Sequence, residues 1–365
     1  MGKPSYRQKY LFSVLFLMGA NLLLGGSYRA KQDSWISLLI AVVALVLWGL
    51  VLFRISKIRP NCDVFDLLHV FPTWIARSIS FILTVYCFSQ GVITLRTYGG
   101  FAKIVSLQNT DLIFLLIMLC LSVYFFLKHD DAVLYRFAYV SMLPIILIVF
   151  LLFFLLLPMF RSESLYPIAY DNTENIIIGA AECLAFPFGN AIFLLGLFGE
   201  EKDGAVSAAT WVSICGFAGV LSLIIMLQNI LLLGGKLASD LNFPYNFSTS
   251  LVNLGDFFSR LEVFASLFFF LSAIVRSAFF IKKAAKGLKT TFSVKEKSLA
   301  LPLTAFLCGY GLVVFDNTNS VFNYLQIFPY FALPLQFALP CILWIVLEWK
   351  AVHKTPQRSL KSLQK

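Results

Sequence analysis

The sequence predicts an all-α, polytopic membrane protein with ten transmembrane helices in a five-plus-five arrangement. The 365-residue chain is 59% hydrophobic and 13% charged, whereas soluble domains are closer to half apolar and a quarter charged. Its apolar residues form ten runs, each near the roughly 20 residues that a helix needs to cross a bilayer. The first and sixth runs are interrupted by Gly, Asn or Pro, which is typical of membrane proteins built from two inverted repeats.

The ten runs place the whole chain, residues 1–365, in a single integral membrane domain. The first half-repeat covers about 9–158, the second about 175–348, and a basic cytoplasmic tail follows at 349–365. A basic segment precedes the first run, but no small-x-small cleavage site closes it, so we expect a retained helix. The expected spans are 9–28, 35–53, 73–97, 111–127, 134–158, 175–199, 207–233, 256–281, 298–315 and 328–348.

The distribution of Lys and Arg predicts the orientation. With both termini inside, twenty of these residues fall in cytoplasmic segments and five in outer ones. Since cytoplasmic loops carry the excess of Lys and Arg, we expect both termini in the cytoplasm. The net charge of +10 is spread over short loops, which argues against a nucleic-acid partner. The Lys-rich loop expected at 282–297 and the tail would lie against anionic membrane lipids, or else bind a partner.

The first run is interrupted at Gly19, Ala20 and Asn21. A break inside a membrane helix frees backbone groups that lipid cannot satisfy, so it persists where it lines a cavity or a ligand site. The half-helix after Asn21 would offer free N–H groups to a carboxylate. The alternative is a packing surface or a kink, because Gly is common in membrane helices.

The sixth run is interrupted at Phe186, Pro187, Phe188, Gly189 and Asn190. Pro removes a backbone donor, while Gly and Asn tolerate non-helical dihedral angles. Unwound carbonyls at this break would accept an ammonium group, so the two breaks together suit an amino acid ligand. A kink is again the alternative for this break taken alone.

Ionisable residues inside spans are functional candidates because a buried charge is costly in a bilayer. Glu182 would face the cavity as a proton acceptor or an ammonium ligand, or else pair with a neighbouring helix. Arg276 would either snorkel to the inner surface or point at an anionic group such as a substrate carboxylate. Arg96 is interpreted as a snorkelling anchor. Ser272 offers a hydroxyl to a sodium ion, without deciding whether such an ion binds.

Three charged residues cluster where the eighth span is expected to begin. Asp256 and Arg260 are four residues apart, which is the spacing of an ion pair on one helix, and Glu262 follows closely. We interpret this group as a structural clamp or an outer gate.

The sequence carries no pattern typical of a catalytic or metal site. Its seven Cys residues are scattered without metal-ligand spacing. The three His residues lie in expected loops or in the tail. No nucleophile–base pair or phosphate loop is present, so we expect no enzymatic activity, no metal and no cofactor.

Six stretches form an ordered pattern over essentially the whole chain. They are LMGANLLL at 17–24, KQDSWI at 31–36, TLR at 94–96, FPFG at 186–189, SRLE at 259–262 and the short connection at 316–330. In this order they resemble the B subunits of endospore germinant receptors, which are similar to permeases of the amino acid-polyamine-organocation superfamily.

The resemblance implies a ten-span fold and a location in the spore inner membrane. It also implies that the protein acts beside an A subunit and a C-subunit lipoprotein. It also implies that a small nutrient germinant, usually an amino acid, binds at the broken first and sixth spans. Two departures matter: Asn21 stands where the family often has a second Gly, and Asn190 where it often has Glu. Loss of that carboxylate puts proton coupling in doubt. A proton- or sodium-coupled amino acid permease of the bacterial cell membrane, and an ion or water conduit within a membrane complex, are the alternatives.

Overall fold

The computed structural model describes residues 3–198, 207–251, 261–292, 294 and 296–362. Side chains are described for all of these except 261–264, 297 and 351–362. Every regular element in these residues is a helix, so the all-α prediction is confirmed for the part of the chain that is described.

The first half of the chain begins with a broken helix. A capping box at Ser5 and Gln8 starts its first segment. A π-helical turn at Ala102–Ser106 extends the longest helix of this half. The helices are α1 (Tyr6–Met18), α2 (Asn21–Leu24), α3 (Ser34–Ile58), α4 (Val64–Leu67), α5 (Thr73–Phe101), α6 (Leu112–Lys128) and α7 (Asp131–Leu156).

The second half also begins with a broken helix, since a 3-10 segment at Phe188–Leu194 follows its first helix. A π-helical turn at Pro334–Ala338 lies between the last two helices. The helices are α8 (Thr173–Ala185), α9 (Ala208–Asp240), α10 (Pro244–Ser250), α11 (Leu261–Phe292), α12 (Ala300–Val313), α13 (Thr318–Ile327), α14 (Pro329–Leu333) and α15 (Leu339–Ser362).

Seven helical segments in the described residues are long and apolar enough to cross a membrane. An eighth crossing is formed if α12 and α13, which are bent by 99° relative to each other, count as one span. The apolar helix α6 is shorter, with 17 residues, and α1 has 13. The chain is therefore an integral multi-pass membrane protein, and the count of ten spans stays a prediction.

The outward faces of these helices are apolar. On α7, Val140, Leu143 and Leu147 are 70%, 71% and 63% exposed and recur every three or four residues. Such a stripe would be a liability in water, but in a bilayer it is the surface that contacts lipid. The same helix buries Met142 and Ile145 completely on its inner face.

The centre of the protein is formed by α5 and α11, which pack along each other, with α1 packed against α7 and α9. Helix α3 packs against α8 and α9. Small residues allow the close approach: a Cβ atom at Gly219 of α9 would lie 2.4 Å from Cγ1 of Val42 on α3. The first broken helix thus also contacts α11, while the second packs on α3.

The charged group expected at the start of the eighth span is only partly described. Asp256 and Arg260 lie outside the described residues, and Glu262 lies in α11 without a described side chain. The clamp or gate formed by these residues stays a prediction. Helix α11 continues to Phe292, so the Lys residues from 282 to 289 lie on a helix and not in the expected loop.

Candidate ligand site

A cavity of about 850 Å³ reaches both helix breaks. Its floor includes Asn21 from the first break and Phe186 from the second, and Tyr28 and Glu182 lie on its wall. Its rim is polar and is formed by residues at or near helix ends, among them Lys31, Asp240, Asn242 and Asn319. A volume of this size is typical of sites for small molecules.

The first break is less unwound than the sequence predicts. Gly19 and Ala20 keep right-handed helical dihedral angles, with φ/ψ of −56°/−34° and −69°/−34°. The Gly19 carbonyl accepts a hydrogen bond from the Tyr98 hydroxyl at 2.7 Å and a longer one from the Ser272 hydroxyl at 3.4 Å. Side chains of α5 and α11 therefore satisfy the carbonyl that the break frees.

Asn21 is buried at the floor of the cavity. Its side-chain Nδ2 donates to the Ser222 hydroxyl of α9 at 2.9 Å. Helix α2 ends one turn later at Gly25, whose φ of 73° is the left-handed conformation that favours glycine. Because α2 has only four residues, its free N–H groups are a weak basis for the predicted carboxylate site.

The second break is extended. Phe186 has φ −144° and ψ 114°, and the Ala185 carbonyl accepts a hydrogen bond from Gln336 Nε2 at 2.8 Å. Pro187 and the buried Phe188 lead into the 3-10 segment. Gly189 packs directly on Gln336, since a Cβ atom there would lie 2.2 Å from its Oε1. The Ala185 carbonyl, which directly precedes the ammonium acceptors predicted at 186–189, is thus occupied by a side chain, and the acceptors themselves stay a prediction.

Asn190 belongs to a buried amide cluster formed by Asn190, Tyr86, Gln90 and Gln336. Its Oδ1 accepts from the Tyr86 hydroxyl at 2.8 Å, and its Nδ2 donates to Gln90 Oε1 at 3.3 Å. Gln336 Nε2 donates to Asn190 Oδ1 at 3.2 Å. The cluster ties the second break to α5 and to the turn before α15, and Asn190 does not line the outer cavity.

Glu182 combines the two roles that the sequence left open. It lies on the cavity wall, and it is also paired with the loop that follows the first broken helix. Its Oε2 accepts from the Ser27 hydroxyl at 2.5 Å, and its Oε1 lies 3.2 Å from Arg29 Nη1. The Glu182 side chain is 12% exposed and that of Arg29 42%, so solvent reaches the pair through the cavity.

Arg276 does not snorkel. The residue is 1% exposed, and its Nη1 donates to the Phe16 carbonyl of α1 at 2.8 Å. The guanidinium carbon lies 4.7 Å from the ring centre of Phe186 and 5.3 Å from that of Phe280. A freed carbonyl and aromatic faces stabilise the charge inside the protein, so the side chain has no need to reach the interface.

Arg96 does not snorkel either. The residue is 3% exposed, and its Nη2 donates to the Phe315 carbonyl at 3.0 Å. Phe315 lies in the bend between α12 and α13. The snorkelling interpretation is wrong for the same physical reason as at Arg276, because a backbone carbonyl released by a helix break receives the cation.

The opposite side of the protein carries an inner ion-pair cluster, formed by Asp63, Asp66, Lys283 and Lys286, and a second cavity of about 360 Å³ that is lined by Asp63 and both Lys residues. Asp63 accepts backbone hydrogen bonds at the start of α4, and it pairs with Lys283 at 3.1 Å and Lys286 at 2.8 Å. Burial opposes its ionisation, but the two ammonium groups hold the pKa of the Asp63 carboxyl well below its ordinary value. Lys283 and Lys286 therefore bind carboxylates of the protein, and contact of the Lys-rich segment with lipid stays a prediction.

Several residues of the site were missed by sequence reasoning, chiefly Tyr86, Tyr98 and Gln336. Each is a single polar side chain inside an apolar span, which is ordinary in membrane helices. In the described part of the chain, no three His, Cys, Asp or Glu residues are grouped so that they could hold a metal ion.

Comparison with known proteins agrees with this architecture. A family model described as Spore germination protein matches residues 5–320. Spore germination protein KB of Bacillus subtilis (strain 168) is 22% identical over 357 residues, covering 95% of each chain. Spore germination protein YndE of the same organism is 23% identical over 328 residues, covering 88% of each chain.

The fold is also similar to solved membrane transporters. A manganese transporter of Eremococcus coleocola, in complex with an aromatic bis-isothiourea substituted compound, aligns with a TM-score of 0.53 at 12% identity, over 91% of this chain and 77% of its own. At that identity the likeness shows the fold alone. The family match, in contrast, extends over most of the sequence and includes both helix breaks. The chain therefore belongs to the spore germination protein family.

Proposed function

We propose that the chain is the nutrient-sensing, permease-like subunit of a spore germinant receptor. A small nutrient, most simply an amino acid, binds where the outer cavity meets the two helix breaks. The observation that carries the proposal is the cavity itself, because its floor takes one residue from each break, Asn21 and Phe186. Any ligand seated there contacts both broken helices at once.

The cavity wall offers chemistry that suits a zwitterion. The Glu182 carboxylate, accessible from the cavity, can receive an ammonium group in place of Arg29. Asn21 presents an amide at the floor, and Tyr28 presents a ring and a hydroxyl that accepts from Asn229 Nδ2 at 2.7 Å. Few convergent polar groups on a concave surface are typical of small-ligand sites.

The arrangement of helices supports the predicted inverted repeat. Helix α1 packs on α9 as α8 packs on α3, and α6 packs on α11 as α12 packs on α5. Exchanging the two halves turns each pair into the other, as a pseudo-two-fold axis requires. With five spans in each half, the second half crosses the membrane in the opposite sense, and both termini lie in the cytoplasm.

We infer that the cavity at the breaks opens to the outside in this conformational state, while the ion pairs restrain the inner side. A nutrient arriving from outside meets the breaks directly, and partner subunits, an A subunit and a C-subunit lipoprotein in the spore inner membrane, read the response. The ligand shifts the conformational equilibrium only by the difference between its affinities for the two states. A coupled amino acid permease is the second candidate, favoured by the fold shared with solved transporters.

The test is a thermal-shift screen of the purified chain in nanodiscs against amino acids, nucleosides and sugars. We expect one class to raise the melting temperature of the wild type. The response should disappear in Asn21→Leu, at the cavity floor, and persist in Asn242→Leu, on the rim. Lack of stabilisation by every class, or a response that survives in Asn21→Leu, would contradict the proposal. If one compound does stabilise the wild type, its uptake into proteoliposomes would favour the permease over the sensor.

A further inference from the structure

The guanidinium of Arg276 is buried with one edge unused. Its Nη1 is bonded to the Phe16 carbonyl, while Nε and Nη2 have no hydrogen-bond partner. No carboxylate among the described residues pairs with it. Leaving the donors of a buried cation without partners is costly. We therefore expect these donors to be bonded in another state of the protein.

The two unused atoms are not an arbitrary pair. Nε and Nη2 form one edge of the planar guanidinium, the edge that receives a carboxylate through two parallel hydrogen bonds. Arg96 provides the contrast within the same protein: it is also buried, but its Nη2 is already bonded to the Phe315 carbonyl, which leaves that edge only partly free.

Phe186 stands at the boundary between this edge and the cavity. It lies on the cavity floor, and the guanidinium carbon of Arg276 lies 4.7 Å from its ring centre. The residue is at the extended point of the second break, where the helical hydrogen bonds of α8 end. A change in the Phe186 side chain would open the cavity to the guanidinium.

We propose that Arg276 is an anion subsite beneath Phe186, and that it selects ligands carrying a carboxylate. The proposal rests on the proposed function, because it names the group that anchors the nutrient at the base of the cavity. The carboxylate displaces the Phe186 ring and bonds to Nε and Nη2, while the ammonium group of an amino acid points back toward Glu182. The occupant is a small oxyanion, supplied by a nutrient or by a simple salt.

The first experiment uses wild-type protein in nanodiscs and compares each amino acid with its amide, which keeps the ammonium and the side chain but lacks the negative charge. We expect stabilisation by acids and at least a tenfold weaker response to the matching amides. Equal responses to acid and amide would overturn the anion subsite and leave nutrient binding intact.

The second experiment compares Arg276→Gln with Arg96→Gln as the matched buried arginine. The acid response should be lost in Arg276→Gln, kept in Arg96→Gln, and reduced but present in Arg276→Lys, which keeps the charge without the planar edge. An acid response that survives in Arg276→Gln would overturn the proposal, and Arg276→Lys carries the test if Arg276→Gln fails to fold.

Simple salts separate the two sources of the anion. Stabilisation of the wild type by formate or acetate, with no amino acid effective, would support the subsite and contradict the amino acid sensor. Absence of stabilisation by every carboxylate would overturn both.

Discussion

Replacing Asp63 by Asn tests how much the inner ion-pair cluster contributes to the stability of the protein. The substitution keeps the helix cap, because Asn and Asp are equivalent in that role. It removes the charge facing Lys283, whose side chain is 14% exposed, and Lys286, which is 31% exposed and keeps Asp66 at 2.7 Å. Breaking a buried pair costs about 3–5 kcal/mol, and the remaining partner of Lys286 places the expected loss near the lower limit.

The assay is chemical or thermal unfolding of the purified chain in one membrane mimetic. Asp131→Asn is the matched control, since Asp131 also pairs with a Lys of α11 but its side chain is 63% exposed. An exposed pair of that kind contributes about 0–1 kcal/mol. The reasoning is refuted if Asp63→Asn loses no more free energy of unfolding than Asp131→Asn.

The pH dependence provides a second readout for the same variant. The depressed pKa of Asp63 contributes stability that is fully present above its ordinary value of 3.8 and is lost as the pH falls through the lower folded value. The stability difference between wild type and Asp63→Asn should therefore be constant near neutrality and shrink in acid. A difference that grows on acidification would contradict the assigned ion pairs.

Three further substitutions test the cavity and the second break. Glu182→Gln should weaken amino acid binding about tenfold, the value of one charge-assisted hydrogen bond, in a ligand titration followed by thermal shift. Asn190→Glu places a carboxyl in the buried amide cluster, where its ionised form loses hydration. The free energy of unfolding should therefore fall as the carboxyl ionises with rising pH, and an unchanged pH profile would contradict this reasoning. Gly189→Ala should cost about 1–3 kcal/mol of stability by overpacking against Gln336. Gly216→Ala is the control for Gly189→Ala, because no atom lies within 4 Å of the new Cβ; it should be neutral or stabilising in the same unfolding measurement.

The fold was predictable from the sequence because a bilayer constrains a chain more strongly than water does. Backbone groups in lipid must be satisfied within a helix, so long apolar runs report spans directly. Expected span 134–158 corresponds to α7, Asp131–Leu156. The hydropathy of an apolar run does not predict the 99° bend between α12 and α13, because that bend depends on contacts with distant helices.

The positions of the breaks were visible in the sequence, but their local form was not. Gly19 keeps helical dihedral angles, and its free carbonyl accepts a hydrogen bond from the Tyr98 hydroxyl, 79 residues away along the chain. Arg276 reaches the Phe16 carbonyl from 260 residues away. The position of Arg276 within its span suggested snorkelling. The Phe186 ring beside its guanidinium comes from a distant part of the chain, so the sequence pattern did not predict this contact.

The inner ion pairs also set how strongly a nutrient must discriminate between states. If the closed inner side is favoured by about 3 kcal/mol, a ligand must bind the alternative state roughly a hundredfold more tightly to balance the two populations. Weakening the cluster lowers that requirement, so Asp63→Asn should respond to lower nutrient concentrations even as it loses stability. Labelling of Cys62, which is half-buried beside Asp63, by a maleimide measures the opening, with Cys308 and Cys341 replaced by Ser. Faster labelling at a lower nutrient concentration is the expected result, and labelling that does not differ from the wild type would show that the ion pairs do not restrain the inner side.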